Sequence, residues 1–172
     1  GLSHFKDGKF ENFTTKSGLA SNKVYDLHLD ENGDVWVGGS NGIEIIRDNQ
    51  VVSLEAEGTL SSPAIRAIYK DAEGTVWIGT SGGGLNVLHE GRLGFVSVAH
   101  GLLSNRVFAI LEDELGHIWM SSNRGIVKVS KSDLLQASHG NLKKVSVTAF
   151  DTEDGMLNVE CNGSFQPAAV RT

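Results

Sequence analysis

Cysteine occurs once in this chain of 172 residues, at Cys161, and proline twice, at Pro63 and Pro167. A single cysteine excludes an internal disulfide framework and any multi-cysteine zinc centre. Two prolines beside 21 glycines point to many tight turns rather than to a flexible low-complexity linker. No stretch approaches the roughly 18 apolar residues of a membrane span. No run of ten or more residues carries apolar side chains at helical spacing, which excludes α-helical solenoids. Basic charge is also sparse. Fifteen Lys and Arg face 21 Asp and Glu, for a net charge of -6, and the longest basic run is Lys143-Lys144. Nucleic-acid affinity comes from clustered Lys and Arg, so no nucleic-acid partner is expected.

What the chain does have is one phrase written three times: DENGDVWVGG at 30–39, DAEGTVWIGT at 71–80 and DELGHIWMSS at 113–122. The aspartates Asp30, Asp71 and Asp113, the glycines Gly33, Gly74 and Gly116, and the tryptophans Trp36, Trp77 and Trp119 recur at intervals of 41 and 42. Upstream, GLASNKV (18–24) matches GLLSNRV (101–107), with GTLSSPAI (58–65) as a looser copy. Downstream, Gly42, Gly84 and Gly125 each open a short apolar run. Each period holds four β-rich runs; in the first copy these are 24–30, 35–39, 42–47 and 51–55. A 40–45-residue period with four short strands predicts an all-β fold, a β-propeller of four-stranded antiparallel blades. About four blades fit. The expected division is 1–17 as the end of a blade, 18–57, 58–100 and 101–140 as blades, and 141–172 as the start of another, displaced by an insertion. Gly1 falls one period before Gly42, so the chain reads as opening in the middle of a repeat.

The repeated phrase reads as architecture. Gly supplies the positive φ of a hairpin turn, Asp caps the turn by accepting backbone amides, and Trp packs between adjacent sheets. DENGD has the alternating oxygens of a calcium loop, but the second and third copies lose those ligands. GTSGGG at 79–84 lacks the Lys-Ser/Thr of a phosphate loop and does not lead into a helix. The six histidines have no paired ligand spacing, and no nucleophile elbow is present. No catalytic residue, metal or cofactor is therefore expected. Binding is expected instead at the less uniform loops before each blade's first strand. The candidates are Asn22, Lys23, Arg66, Asn105 and Arg106, whose side chains suit a sugar or an anionic ligand. Asn22 and Asn105 also suit capping of the loop backbone, which leaves the three cations as the better candidates for specificity.

The combination of GL-x-SN-x-V, D-x-x-G-x-x-W-V-G and the following GI resembles the two-component regulator propeller repeat over nearly the whole chain. ECNGSFQPAAVRT (160–172) resembles the end of such propellers. The resemblance implies the periplasmic, non-catalytic sensor region of a bacterial receptor, relaying a small-molecule or oligosaccharide ligand to a cytoplasmic histidine kinase or diguanylate cyclase. It implies membrane attachment only through segments outside this chain. The resemblance implies a ring that usually has seven blades, or two such rings, more than this chain holds. An open arc exposes its end sheets, so a homo-oligomer, most simply a dimer, is expected. A structural or interaction propeller is the alternative role, and a propeller lyase or glycoside hydrolase a further one. The Asp-box of sialidases fits less well, because Asp71 to Trp77 is two residues too long.

Overall fold

The structure is a computed structural model, and it describes residues 1–163 and 168–170. The chain opens with the hairpin β1 (Leu2–Lys6) and β2 (Lys9–Phe13). Three four-stranded antiparallel sheets follow in sequential order. The first is β3 (Val24–Leu29), β4 (Val35–Gly39), β5 (Gly42–Arg47) and β6 (Gln50–Ser53). The second is β7 (Ile65–Lys70), β8 (Val76–Thr80), β9 (Leu85–His89) and β10 (Arg92–Val96). The third is β11 (Ala109–Glu112), β12 (His117–Ser122), β13 (Gly125–Ser130) and β14 (Val147–Phe150). The sheets meet through their first strands, with β3 against β7 and β7 against β11. This is the arrangement of consecutive propeller blades.

The hairpin β1–β2 forms a two-stranded antiparallel sheet of its own, and its turn can be set against that of β9–β10 through the register of Gly8 over Gly91. Its turn places Asp7 and Gly8 at φ 51° and 75°, and the β9–β10 turn places Glu90 and Gly91 at 49° and 76°. Two successive positive φ values make the turn whose twist suits a two-residue hairpin.

Apolar side chains fill the space between sheets. Trp36, Ile43, Ile45, Ile65 and Ile78 form the core between the first two blades, and Trp77, Leu85, Val107, Ile118 and Val127 belong to the next. Close approach explains the glycine two residues after Trp. A Cβ on Gly38 would lie 2.7 Å from Cγ2 of Ile65, and one on Gly79 would lie 2.7 Å from the Val107 carbonyl oxygen. In the third copy that position is Ser121.

The expected boundary at 140 is corrected by the structure. The insertion lies inside the third blade, where α1 (Lys131–Ser138) separates β13 from β14. Ser130 caps the helix by accepting the Asp133 N–H, and Leu134 and Ala137 are buried against the second blade. Gly94 of β10 admits the helix end, since a Cβ there would lie 2.1 Å from the Ser138 carbonyl oxygen. The third blade therefore ends at Phe150. The next opening loop follows it and repeats the earlier ones. Gly125 N–H donates to the Val159 carbonyl at 2.7 Å, as Gly84 N–H does to Asn105 at 2.9 Å. Glu160 N–H donates to Oδ1 of Asn158, as Arg106 N–H does to Oγ of Ser104. Residues 164–167, 171 and 172, which carry part of the resemblance at 160–172, lie outside the described residues.

Candidate functional site

Each sheet has two ends, which carry different connections. At one end lie the turns between its first and second strands, which carry the repeated aspartates. At the other lie the blade-opening loops and the β4–β5, β8–β9 and β12–β13 hairpins, brought together by the pairing of Val24 with Gly39 and Ile65 with Thr80.

At the aspartate end, one carboxylate serves three purposes. Oδ1 of Asp30 accepts the N–H groups of Asn32 and Asp34, at 2.9 and 3.1 Å, closing the turn. Its Oδ2 accepts Trp36 Nε1–H at 3.1 Å and the Lys70 ammonium of the following blade at 2.9 Å. Asp71 repeats the pattern with Glu73, Thr75 and Trp77, and with Lys131 at 2.9 Å. Asp113 takes Leu115, His117 and Trp119. Burial alone would raise the Asp30 carboxyl, but the bonds from Lys70, Trp36 and the turn amides outweigh it and hold it at about 2. Asp71 is held below the usual range in the same way. The capped turn recurs in all three copies, and Trp36 and Trp77 are buried between sheets while Trp119 is half-buried. The indole-to-carboxylate bond is additional, and its signal was the constant spacing of six residues from Asp to Trp.

The second interblade contact gathers the carboxylates of Asp71, Glu73 and Glu112, with one oxygen of each within 4.8 Å of the others. Such a trio has the donor chemistry for a divalent cation. Here the Lys131 ammonium reaches all three, at 2.9 Å from Asp71 and 2.8 Å from Glu112, and also contacts Glu73. The cluster is thus an ion-pair network with its cation supplied by the chain. Glu112 stands at the repeat position of Lys70, so the second interface draws its cation from the start of α1 instead. Glu112 also accepts the Tyr69 hydroxyl at 2.9 Å, and burial and that bond push Tyr69 up to about 12.

At the loop end, the structure separates the five sequence candidates. Asn22 Oδ1 accepts Thr15 N–H at 3.0 Å, and Asn105 Oδ1 accepts Val98 N–H at 2.9 Å. Both amides are engaged in holding the loop backbone. Lys23 and Arg106 share one repeat position and are exposed. Arg66 stands two residues further on, within β7. Its guanidinium carbon lies 4.0 Å over the Tyr25 ring, and its Nε donates to Ser81 Oγ at 2.5 Å. Tyr25, Arg66 and Phe108 occupy the same repeat position, Tyr25 within β3, Arg66 within β7 and Phe108 immediately before β11, each just after the uniform Val24/Ile65/Val107.

Next to Tyr25, Asp26 turns Oδ2 to the Ile68 N–H of the following blade at 2.6 Å. Burial pushes this carboxyl up to about 6 from 3.8, against the amide bonds of Ile68 and Leu27 that favour the carboxylate. Between those values the unfolded chain releases a proton that the folded chain keeps, so this group's contribution to stability falls as pH rises from about 4 past 6. Asp26→Asn keeps an acceptor for Ile68 without the buried charge. The variant is expected to exceed the wild type by about 1 kcal/mol near pH 7.5, with the gap shrinking toward pH 5, in urea unfolding at both pH values.

The outer face of the third blade carries a groove of 610 Å³ lined by Leu111, Asp113, Trp119, Met120, Ile126 and Val170 among others. On the first two blades the equivalent face is covered by the next blade. Trp77 is fully buried and Trp36 7% exposed, whereas Trp119 is half-buried, stacked on Phe150 with centroids 5.3 Å apart.

Three segments, 18–41, 59–82 and 101–124, match the family model described as two component regulator propeller. These are two-component regulator propeller repeats. They coincide with the opening loop, first strand, aspartate turn and Trp strand of each blade. The propeller is 29% identical over 153 residues to Histidine kinase P4 of Formosa agariphila, a match over 84% of this chain and 10% of that protein. It resembles the extracellular domain assigned to the hybrid two component system BT4673 of B. thetaiotaomicron, with a TM-score of 0.66, 25% identity, and coverage of 87% of this chain and 21% of that one. A catalytically inactive virginiamycin B lyase from Staphylococcus aureus shares the fold, at a TM-score of 0.59 and 18% identity over 86% of this chain and 47% of the lyase. The propeller thus spans about a tenth of the kinase and a fifth of the extracellular domain. No helix among the described residues is long and apolar enough to cross a membrane.

Proposed function

We propose that this propeller is part of the extracytoplasmic, periplasmic sensor region of a membrane-bound two-component receptor. It binds a small molecule or oligosaccharide without transforming it, and passes occupancy to a cytoplasmic output domain such as a histidine kinase. The observation that carries this reading is the division of labour between the two ends of the blades. The aspartate end repeats its residues and satisfies them internally. The loop end keeps the same backbone but changes its side chains from blade to blade, as Tyr25, Arg66 and Phe108 show. A face that varies on a constant scaffold is where recognition is placed. The likeness to Histidine kinase P4 and to the BT4673 extracellular domain supports the receptor context.

A thermal-shift panel of neutral and acidic monosaccharides, oligosaccharides and common metabolites tests it. A ligand at about 100 times its dissociation constant stabilises the folded state by about 2.7 kcal/mol, and at least one compound is expected to raise the midpoint in a concentration-dependent way. A panel with no such compound, or turnover of one that binds, contradicts the reading.

A further inference from the structure

We infer that Arg66 is the anchor for an oxyanion, a carboxylate or sulfate carried by the small ligand of this face. The inference rests on the sensor reading above and adds the ligand's chemistry to it.

Three cations at or beside the sheets have acidic partners, while Lys128 of β13 lies 5.4 Å over the Trp119 ring. Lys70 lies 2.9 Å from both Asp30 and Glu31, Lys131 is shared among three carboxylates, and Arg47 donates to Asp34. Arg66 is half-buried and has no acidic partner among the described residues. Its contacts are neutral, the Tyr25 ring and the Ser81 hydroxyl. The nearest acid in the row, Asp26, directs Oδ2 to the Ile68 amide.

The two neutral contacts also fix how the guanidinium is presented. Tyr25 covers one face and holds the plane. Ser81 accepts from Nε, so the edge formed by the two terminal nitrogens is left for a ligand. That edge is a planar fork matched to the two oxygens of a carboxylate or sulfate. Tyr25 and Ser81 are accordingly positioning residues. Phe108 occupies the equivalent position immediately before β11 and is half-buried, offering an apolar flank for the ligand's body. Arg66 arises where the neighbouring repeats carry aromatic residues, so the charge is specific to one blade and is not part of the repeated scaffold.

The test is a titration of this chain with sodium glucuronate, sodium sulfate and glucose, read by calorimetry and by the Arg66 Nε–Hε resonance. Glucuronate is expected to bind saturably and move that resonance, with glucose at least roughly tenfold weaker. Sulfate is expected to move the same resonance and to compete. Arg66→Gln should weaken glucuronate roughly tenfold or more, and Arg66→Lys should recover only part of it, because the fork is lost. Lys23→Gln and Arg106→Gln should stay within about twofold. Unfolding midpoints of all variants are measured alongside, and Arg66→Lys serves if Arg66→Gln does not fold. Glucose binding as tightly as glucuronate, or glucuronate binding that Arg66→Gln leaves unchanged, overturns the oxyanion assignment. So does an Arg66 resonance that none of the three probes moves. The broader panel is run separately, so neutral ligands that stabilise the chain would leave the sensor reading standing while this assignment falls.

Discussion

Trp77→Ala is expected to cost about 4 kcal/mol of folding stability, enough to leave most of the chain unfolded at modest urea. Trp77 is fully buried between the second and third blades, among Leu85, Val107 and Val127. Removing it opens a cavity that rigid sheets on either side cannot collapse. It also takes the Nε1–H donor from Asp71, a carboxylate whose side chain is itself fully buried. Trp77→Phe separates the two effects, restoring much of the apolar volume but not the donor, and about 1–2 kcal/mol of the loss should remain. Trp119→Ala should cost markedly less than Trp77→Ala, because Trp119 is only half-buried on an uncovered face. Urea unfolding of the three variants checks the order. Equal losses for Trp77 and Trp119 would mean that the wedge between blades is not what the repeated tryptophan supplies.

Lys131→Met should cost about 2–3 kcal/mol near pH 7. The fully buried cases approach 3–5 kcal/mol, and the lower figure allows for Glu73, whose side chain is 66% exposed. Without the ammonium, Asp71 and Glu112 are left as neighbouring carboxylates, one fully buried and one 18% exposed. The Asp71 carboxylate loses one of the bonds that hold it below its usual range, so the deficit is relieved as pH falls and Asp71 becomes neutral. The loss should therefore be clearly smaller near pH 4.5 than near pH 7. The wild type behaves oppositely. Asp30, held at about 2 against an ordinary 3.8, and Asp71, held below its usual range, contribute stability above about pH 4 that is lost as pH falls through their folded-state values. Lys131→Arg should keep most of the stability, since a cation remains. Urea midpoints at the two pH values decide the matter, and a deficit independent of pH would remove the electrostatic explanation.

The period, the four strands per blade and the aspartate turn were legible in the sequence because each is local. Asp30, Gly33 and Trp36 specify a turn and a strand within seven residues, and three copies in register remove the ambiguity of one. The opening hairpin was legible for the same reason, through Gly8 over Gly91. The helix α1 was not, since two turns with one pair of buried residues make too short a pattern to stand out from a loop. Its absence from the reading moved the end of the third blade from Phe150 to 140. The interblade cations were hidden by distance and by inconsistency. Lys70 comes from a strand 40 residues beyond its partner Asp30, whereas Lys131 comes from a helix start 60 residues beyond Asp71. Repetition cannot reveal a contact that each interface makes with a different element. At the loop end, the residue types of Asn22 and Asn105 suit both a ligand contact and a loop cap, and the fold shows which backbone amides take their oxygens, those of Thr15 and Val98. Arg66 was chosen with Lys23 and Arg106 as a variable cation, but its place in the strand, beside Tyr25 and Ser81, sets it apart.

The central claim is that the repeated end of each blade builds the propeller while the varied end reads a ligand. The most direct measurement is a chemical-shift map of the isotopically labelled chain, titrated with whichever panel compound raises its unfolding midpoint most. The account predicts that perturbed resonances cluster at 21–25, 61–66, 81 and 104–108, leaving the aspartate turns 30–34, 71–75 and 113–117 unmoved. A map centred on those turns, or spread evenly over both ends, would contradict it.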